Sequence, residues 1–204
     1  MSNLLRIENL SHKFQDQSYA FKDISMTINT GEFIILTGKN GSGKTVFLQH
    51  LNALLKPSSG KILLNGKDIH SDIRTARQKI GYIFQNPDSQ IIGTTVLNDV
   101  MFGPINLGMS LKDAEQSAIR ALKQTELTHL LKRFPHDLSG GEKRRLAVAG
   151  VIAMNPDVII FDEPFENLDY GGVVSLLKNM IQLHNNKKTI IVVNHDIDKI
   201  SAQE

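Results

Sequence analysis

The chain contains the stretch Gly38-Lys39-Asn40-Gly41-Ser42-Gly43-Lys44-Thr45, which fits the phosphate-binding pattern G-x-x-x-x-G-K-[ST]. Before it, the apolar run 33–36 predicts a short buried parallel strand. After it, apolar residues recur at helical spacing from Val46 to Leu55. The motif requires a strand before the loop and a helix after it, and the sequence predicts both. We therefore interpret residues 38–45 as a phosphate-binding loop rather than an exposed glycine-rich turn.

The residue types in the loop explain its predicted chemistry. Glycines at 38, 41 and 43 let the backbone curl so that successive N–H groups converge on an anion. The helix that begins near Lys44 adds the positive end of its dipole. Lys44 is expected to reach the β- and γ-phosphates of a nucleotide, and the Thr45 hydroxyl to bind Mg²⁺. The predicted ATP-binding residues of this segment are Gly38, Asn40, Gly41, Ser42, Gly43, Lys44, Thr45 and Val46.

Composition narrows the class of protein. The 204 residues are 41% apolar and 22% charged, have a net charge of +2 and include no cysteine. Such a chain is one globular domain, with or without an inserted lobe, and its charge gives no argument for nucleic acid. The longest apolar run, residues 146–154, is far shorter than the roughly 20 residues that cross a bilayer, and the amino terminus lacks a signal pattern. We expect a cytoplasmic protein that meets a membrane only through a partner.

Residues 1–36 alternate apolar and polar side chains, which predicts two or three strands with a turn near residues 15–18. Two aromatic residues, Phe14 and Tyr19, flank this turn. Either ring could stack on an adenine base or simply pack on the sheet. The sequence does not decide between these roles.

The middle of the chain predicts a sheet segment followed by helices. We expect a turn at 56–60, a strand at 61–65, a turn at 66–67, a helix at 72–79, a strand at 80–84 and a break at 85–88. From 89 to 138 the spacing is helical, with an interruption at Gly103-Pro104, a helix start at Ser110 and helical spacing from Leu111 to Leu131. The predicted organisation is one domain of residues 1–204, with a core of 1–88 and 139–204 and an inserted helical lobe at 89–138.

Residues 139–142 read Ser-Gly-Gly-Glu, which predicts a helix start. The Ser139 side chain can cap the helix, and Glu142 can reach back to the capping residue in a capping box. The helix is expected to stop at Asn155-Pro156, since proline cannot continue it.

Two further apolar runs predict buried strands with polar residues at their carboxyl ends. The run 158–161 is followed by Asp162 and Glu163, and the run 189–193 by His195. Ligands of open α/β sheets bind at such strand ends. We expect Asp162 to hold Mg²⁺ through water and Glu163 to polarise the attacking water. His195 can donate to a γ-phosphate or orient water, although a histidine at this place is often only structural.

Taken together, these motifs resemble the ATP-binding cassette ATPases across nearly the whole chain and in the family's order. The matching segments are residues 38–45, Gln85, 138–142, 158–163, 168–169 and His195. Leu-Ser-Gly-Gly followed by a basic helix is specific to that family. The resemblance implies an α/β P-loop NTPase with a RecA-like core and a mainly parallel sheet. It also implies an amino-terminal antiparallel β subdomain and an inserted α-helical subdomain.

The resemblance implies further roles. ATP would bind between two subunits, so that Ser139 and Gly141 of one cover the γ-phosphate held by Lys44 of the other. Gln85 would contact Mg²⁺ and the water, which makes it a catalytic candidate together with Glu163 and His195. Asp169 would lie at the dimer seam, and Phe14 aligns with the aromatic residue, usually tyrosine, that stacks on adenine. The implied metal ligands are Thr45, Gln85 and Asp162.

Residues 85–90 and 102–108 resemble the energy-coupling-factor importers within this family. The implied partners are a second ATPase subunit, identical or a sister, an integral membrane scaffold protein and a substrate-capture subunit, with no nucleic acid. The chain would work at the cytoplasmic face of the cell membrane with ATP and Mg²⁺. The local resemblance favours cobalt or nickel as the solute, with a vitamin as the alternative.

Two features depart from the family pattern. Residues 164–167 read Pro-Phe-Glu-Asn, where relatives usually have Pro-Thr-x-Gly or Pro-Thr-Ser-x. Nine residues follow His195, fewer than in many relatives, so the chain is either a short form or truncated.

Two other classes of protein compete with the importer subunit. A soluble cassette ATPase of translation or DNA repair usually carries two cassettes or a long coiled-coil insertion, and the sequence shows neither. A P-loop kinase of small molecules would need an acceptor-binding lid, and it would leave residues 138–142 unexplained.

Overall fold

A computed structural model describes residues 3–166 and 168–194 of the chain. The strands are β1 (Asn3–Lys13), β2 (Tyr19–Asn29), β3 (Phe33–Leu36), β4 (Ser59–Leu64), β5 (Lys67–Asp68), β6 (Ile80–Ile83), β7 (Val158–Asp162) and β8 (Thr189–Val193). The helices are α1 (Lys44–Leu51), α2 (Ile73–Lys79), α3 (Val96–Asn106), α4 (Leu111–Gln124), α5 (Gly140–Ala153) and α6 (Tyr170–Asn185). Single 3-10 turns lie at 87–89, 128–130 and 135–137.

The strands form two sheets. One is antiparallel, with the order β2-β1-β4-β5, and the other has the order β3-β8-β7-β6 with every neighbouring pair parallel. The carboxyl ends of the four parallel strands therefore lie along one edge of that sheet. This architecture confirms the predicted fold class, an α/β P-loop NTPase with an amino-terminal antiparallel sheet.

Three apolar cores hold these layers together, and α5 belongs to two of them. Ala147, Val148 and Val151 of α5 pack on the parallel sheet with α6. Leu146 and Ala149 face the other way and join the core that α3 and α4 form. The third core lies between the two sheets and α1. Because α5 is buried on both sides, it ties the helices of residues 96–138 to the sheet.

Strand β3 is parallel, as predicted, but it is not buried. It is the edge strand of the described parallel sheet, and its burial alternates along its length. Ile34 and Leu36 pack on the core between the sheets, whereas Phe33 is 36% and Ile35 42% exposed. An apolar run fits both a central and an edge strand, so the sequence could not separate the two.

The helical region differs from its prediction in two places. Gly103-Pro104 does not interrupt α3, which continues to Asn106. Pro104 lies in the last turn, so its missing N–H removes a single helical bond next to the natural end. Helical structure also does not run from Leu111 to Leu131: α4 ends at Gln124, and Glu126 adopts a left-handed φ of 60°.

The hairpin at residues 59–68 also departs from the predicted boundaries. Strand β4 begins at Ser59, and Lys67 belongs to β5 rather than to the turn. The turn is Asn65-Gly66, with φ values of 49° and 80°. Two positive φ values in succession are typical of a two-residue hairpin turn, for which Asn-Gly is the favoured sequence.

Several predicted boundaries are confirmed. The turn at 15–18 separates β1 from β2, α2 occupies 73–79 and β8 occupies 189–193. Ser110 caps α4 by accepting a hydrogen bond from the Asp113 N–H. Across residues 3–166 and 168–194, none of the helices has the length and apolarity needed to span a bilayer.

Candidate functional site

The phosphate-binding loop joins the end of β3 to the first turn of α1. Gly38, Gly41 and Gly43 have positive φ values of 153°, 77° and 86°. A Cβ on Gly43 would lie 2.7 Å from the Ala20 carbonyl oxygen, so glycine is required there. Gly43 is also the residue that precedes α1, and it has no side chain with which to cap the helix. The positive end of α1 is therefore available to an anion.

The Lys44 side chain folds back across this loop. Its Nζ donates hydrogen bonds to the main-chain oxygens of Gly38 and Lys39, at 2.8 and 3.0 Å. These contacts hold the ammonium group at the mouth of the loop. A phosphate group in this loop would meet the positive charge of Lys44.

A buried carboxylate lies behind the loop, where β7 ends. Asp162 is 3% exposed, and its two oxygens accept hydrogen bonds from the Thr45 hydroxyl at 3.1 Å and from the Tyr82 hydroxyl at 2.7 Å. Burial, followed by the charge of Asp162, raises the pKa of Tyr82 above its ordinary value, so the phenol stays protonated and donates. A buried carboxylate whose partners are two neutral hydroxyls favours a cation beside it.

The donor set around Asp162 fits Mg²⁺. The Thr45 hydroxyl and the Asp162 carboxylate both offer oxygen donors, and Mg²⁺ typically takes one or two carboxylates together with substrate phosphates. In the described part of the chain, no group of three or more histidine, cysteine or acidic side chains is arranged as a complete metal site.

Glu163 follows Asp162 directly and has an unusual backbone. Its φ is 45°, a left-handed value that costs energy for any residue other than glycine. Its N–H donates to the Val193 oxygen at 3.1 Å, which fixes the turn at the carboxyl ends of β7 and β8. The Gln85 Nε2 donates to Glu163 Oε2 at 3.2 Å and to Glu166 Oε2 at 2.7 Å. Gln85 and Glu163 are therefore in direct contact, and Glu163 directly follows Asp162 in the chain.

A cleft of about 520 Å³ is lined by both candidate aromatic rings together with Lys44, Gln85 and Glu163. Phe14 is 44% exposed, and the His12 ring packs edge-on against it at 5.1 Å between centroids. Tyr19 is 50% exposed, with the Lys13 ammonium 5.5 Å from its ring centre. Both rings are within the cleft, so Phe14 and Tyr19 remain alternatives for the base.

The residues predicted to act across a dimer lie elsewhere. The Ser139 Oγ accepts from the Glu142 N–H at 3.3 Å, and Glu142 Oε2 accepts from the Ser139 N–H at 2.7 Å, which confirms the capping box. Asp169 caps α6 through the Gly172 N–H at 2.8 Å. Among the described residues, those that line the cleft do not include Ser139, Gly141 or Asp169. His195 lies outside the described residues.

Sequence reasoning missed three residues of this region. Tyr82 supports Asp162 and Glu166 binds Gln85, as given above. Arg144 of α5 is 5% exposed and donates to the main-chain oxygens of Phe84 and Gln85 at 3.2 and 2.6 Å. Glu166 lies in the segment that departs from the family pattern, which was a usable signal. Tyr82 and Arg144 carried no such signal in the sequence, because a tyrosine in a strand and an arginine in a helix usually have structural roles.

Comparisons with known proteins show the family of this chain. The family model described as ABC transporter matches residues 21–166. The energy-coupling factor transporter ATP-binding protein EcfA of Methanosphaera stadtmanae is 37% identical over 98% of this chain and 73% of its own length. EcfA2 of Methanospirillum hungatei is 42% identical over 97% of this chain, which spans half of that longer relative.

Two solved structures are similar along almost the whole chain. CbiO1 of Clostridium perfringens, described as part of the ABC transporter complex cbiONQ, has a TM-score of 0.88 and 38% identity over 98% of this chain and 81% of its own. The cassette MJ0796, solved as a dimer in a post-hydrolysis state with ADP and phosphate, has a TM-score of 0.86 and 28% identity over 96% of this chain and 90% of its own. The chain belongs to the ABC transporter family and is an ATP-hydrolysing cassette. Within that family it is an ATPase subunit of the energy-coupling-factor type.

Proposed function

We propose that this chain supplies the energy for uptake of cobalt or nickel ions by an energy-coupling-factor importer. The observation that carries the ATPase part is the junction of Thr45 and Asp162, which joins the phosphate-binding loop to the carboxyl end of β7. The assignment of cobalt or nickel as the solute is based on the resemblance of residues 85–90 and 102–108 to such importers. We also propose that residues 1–204 form one domain, with 89–138 as its helical lobe.

The proposed catalytic roles combine the positions of the described residues with the resemblance to the family. Lys44 and the loop N–H groups hold the phosphates, while Thr45, Gln85 and Asp162 hold Mg²⁺. When bound, Mg²⁺ neutralises the charge that builds up on the transferred phosphoryl group. Glu163 orients and polarises the attacking water, and we assign His195 to the γ-phosphate.

We further propose that the second half of each site comes from another subunit, identical or a sister. The helix cap at Ser139 supports this role. Its Oγ accepts from the Glu142 N–H, so the hydroxyl hydrogen is free to point away from the helix toward an anion. Ser139 and Gly141 of the partner subunit would then cover the γ-phosphate, with Asp169 at the seam.

A groove between α2, α3 and α5 is the proposed binding surface for a membrane protein partner. It has a volume of about 650 Å³, and its wall includes Ile92 and Phe102, which are 62% and 49% exposed. Arg74 and Arg77 line the same groove. Exposed apolar side chains beside basic ones are typical of a surface that binds another protein. We propose that short helices of the membrane scaffold protein bind here, which would place the chain at the cytoplasmic face of the membrane.

The first test is capture of the scaffold. A tagged chain expressed in its own cells should co-purify from membranes with an integral membrane protein and a small capture subunit. Phe102→Ser should abolish this capture, because it places a polar side chain in the groove. Phe134→Ser is the matched control, since Phe134 is 52% exposed and does not line the groove. Capture of ribosomes or DNA instead would support the soluble cassette ATPase.

The second test concerns the solute. Cells that lack the gene should lose uptake of radioactive cobalt or nickel, and the wild-type gene should restore it. Restoration by Glu163→Gln would contradict the proposal, because transport would then not need ATP turnover. Loss of vitamin uptake with normal metal uptake would favour the alternative solute.

A further inference from the structure

Glu166 stands in the segment that departs from the family pattern, and its side chain lies in the cleft. Its Oε2 accepts a hydrogen bond from Gln85 Nε2 at 2.7 Å, the shorter of the two bonds that this nitrogen makes. The other runs to Glu163 Oε2 at 3.2 Å. The Gln85 amide nitrogen therefore bridges two carboxylates.

This bridge decides which end of the Gln85 amide faces a ligand. An amide nitrogen carries two hydrogens, and here a carboxylate accepts each of them. The opposite orientation would place the amide oxygen against two negatively charged groups. The amide oxygen is therefore the atom presented to a ligand, and amide oxygens suit a hard cation such as Mg²⁺.

The main chains that carry both side chains are also held together. Arg144 donates to the main-chain oxygen of Gln85 at 2.6 Å and to that of Glu166 at 3.3 Å. The Gln85 side chain itself is exposed, and an exposed glutamine ordinarily samples many rotamers. Of the two carboxylates that restrain it, Glu166 is the closer acceptor, at 2.7 Å against 3.2 Å for Glu163, and the shorter of two such hydrogen bonds is the stronger.

We propose that Glu166 is a positioning residue that holds the Gln85 amide with its oxygen directed toward Mg²⁺ and the nucleotide. This inference deepens the proposed function and rests on the assignment of Gln85 to Mg²⁺. Glu166 acts through Gln85 and does not touch the reacting atoms. Loss of one charge-assisted hydrogen bond at a solvent-facing site should change metal-assisted nucleotide binding by about five- to tenfold.

The first measurement uses the protein without nucleotide. The side-chain ¹⁵N–¹H₂ resonances of Gln85, assigned by their loss in Gln85→Ala, report the hydrogen bonds of this amide. In the wild type their chemical shifts should differ from those of ordinary exposed glutamines. Glu166→Ala should move them toward the ordinary values, and Glu166→Gln, which keeps an uncharged acceptor of the same length, should move them less. Unchanged resonances in Glu166→Ala would overturn the proposal.

The second measurement compares the affinity for a non-hydrolysable ATP analogue in Mg²⁺ with that in a chelator, by calorimetry. Glu166→Ala should reduce the gain from Mg²⁺, taken as the ratio of the two affinities, by about five- to tenfold. Glu115→Ala, an exposed glutamate of α4, is the matched control and should change neither value. Glu166→Ala should add nothing in a Gln85→Ala background.

The outcomes separate this inference from the site assignment. If Gln85→Ala lowers the gain from Mg²⁺ and neither Glu166 variant does, the positioning role is wrong and the proposed site stands. If Gln85→Ala leaves the gain intact, the assignment of Gln85 to Mg²⁺ is wrong, and the inference is overturned with it. An equal loss from Glu166→Ala with and without Gln85 would show that Glu166 acts independently, which also contradicts the proposal.

Discussion

Two helix N-termini of this chain are assigned to the same phosphates, and they are built in opposite ways. Helix α1 follows Gly43, which has no side chain to offer, and its first turn contains no acidic residue. Helix α5 follows Ser139, whose capping box with Glu142 satisfies donors at its start and places a carboxylate in its first turn. The backbone hydrogen bond from Ser139 lowers the pKa of Glu142, which keeps this carboxylate ionised.

The contrast indicates an order of binding. The dipole of α1 is available to phosphate as soon as the loop has folded, whereas the negative charge of Glu142 partly offsets the dipole of α5. Helix α1 can therefore bind nucleotide within one subunit. In the proposed two-subunit site, helix α5 adds the Ser139 hydroxyl and adjacent N–H groups only after a nucleotide is held by the opposite subunit. This is the arrangement expected of a site that two subunits complete.

The largest effect should come from Glu163→Gln, which removes the charge that we propose polarises the attacking water. ATP turnover should fall by about 10³-fold or more, while ATP affinity is retained because Lys44 and the loop are intact. Unhydrolysed ATP should then hold two subunits together, and light scattering should detect an ATP-dependent dimer. Normal turnover by this variant would show that Glu163 is not the group that activates water.

A smaller effect that isolates α5 is expected from Ser139→Ala. Loss of a helix cap costs about 1 kcal/mol of stability, and loss of the hydroxyl should also lower the turnover of the dimer while ATP binding to the monomer is unchanged. The control is Ser110→Ala, which removes the equivalent cap of α4. Both variants should unfold at similarly reduced temperatures, but only Ser139→Ala should lose turnover. An equal activity in the two variants would remove the reason to assign Ser139 to the γ-phosphate.

The smallest effect concerns the far end of α1, where His50 is fully buried. Its Nδ1 pairs with the Leu55 oxygen and its Nε2 with His12 Nδ1, each at 3.0 Å. Burial, followed by the neighbouring charges of His12 and His70, lowers the pKa of His50 to about 4. In the unfolded chain His50 takes up a proton near pH 6.5, whereas in the folded chain it stays neutral until the pH is much lower. Stability should therefore be complete above pH 6.5 and decline by no more than about 3 kcal/mol as the pH falls toward 4.

Urea unfolding between pH 7.5 and 4.5 measures this decline. The free energy of unfolding of the wild type should fall with pH in part because of His50. In His50→Gln that part of the pH dependence should disappear, even though the variant is less stable at every pH. His129→Gln, an exposed histidine, should leave the slope unchanged. A His50→Gln slope equal to that of the wild type would mean that another group causes the acid sensitivity.

The parts of the fold that were predictable are those encoded in short windows of sequence. The phosphate-binding loop, the capping box at Ser139 and the strand at 189–193 each depend on residues close together in the chain, and the structure has them where they were expected. Where tertiary packing decides, prediction was wrong. Pro104 stays within α3 because it lies beside a natural helix end, and Phe33 is exposed because β3 is an edge strand of the described sheet.

In the candidate site, too, some residues could be predicted from the sequence, and others depend on tertiary structure. Asp162 and Glu163 were indicated by their position after a buried strand, and Gln85 by the family resemblance. The structure shows Thr45 in contact with Asp162 and Gln85 in contact with Glu163. The supporting contacts of Tyr82 and Glu166 depend on which strands are neighbours and on how the chain turns after Glu163. Neither fact can be read from spacing. The roles of the site residues stay predictions, and His195 lies outside the described residues.

The two hydrogen bonds from Lys44 to the loop carbonyls have a consequence for how quickly nucleotide is accepted. Because this side chain is ordered before ligand arrives, the entropy of restricting it is lost during folding and not during binding. An incoming phosphate exchanges neutral acceptors for charged ones within a loop whose shape is already set. Association should therefore be limited by diffusion and electrostatic attraction rather than by rearrangement of the loop.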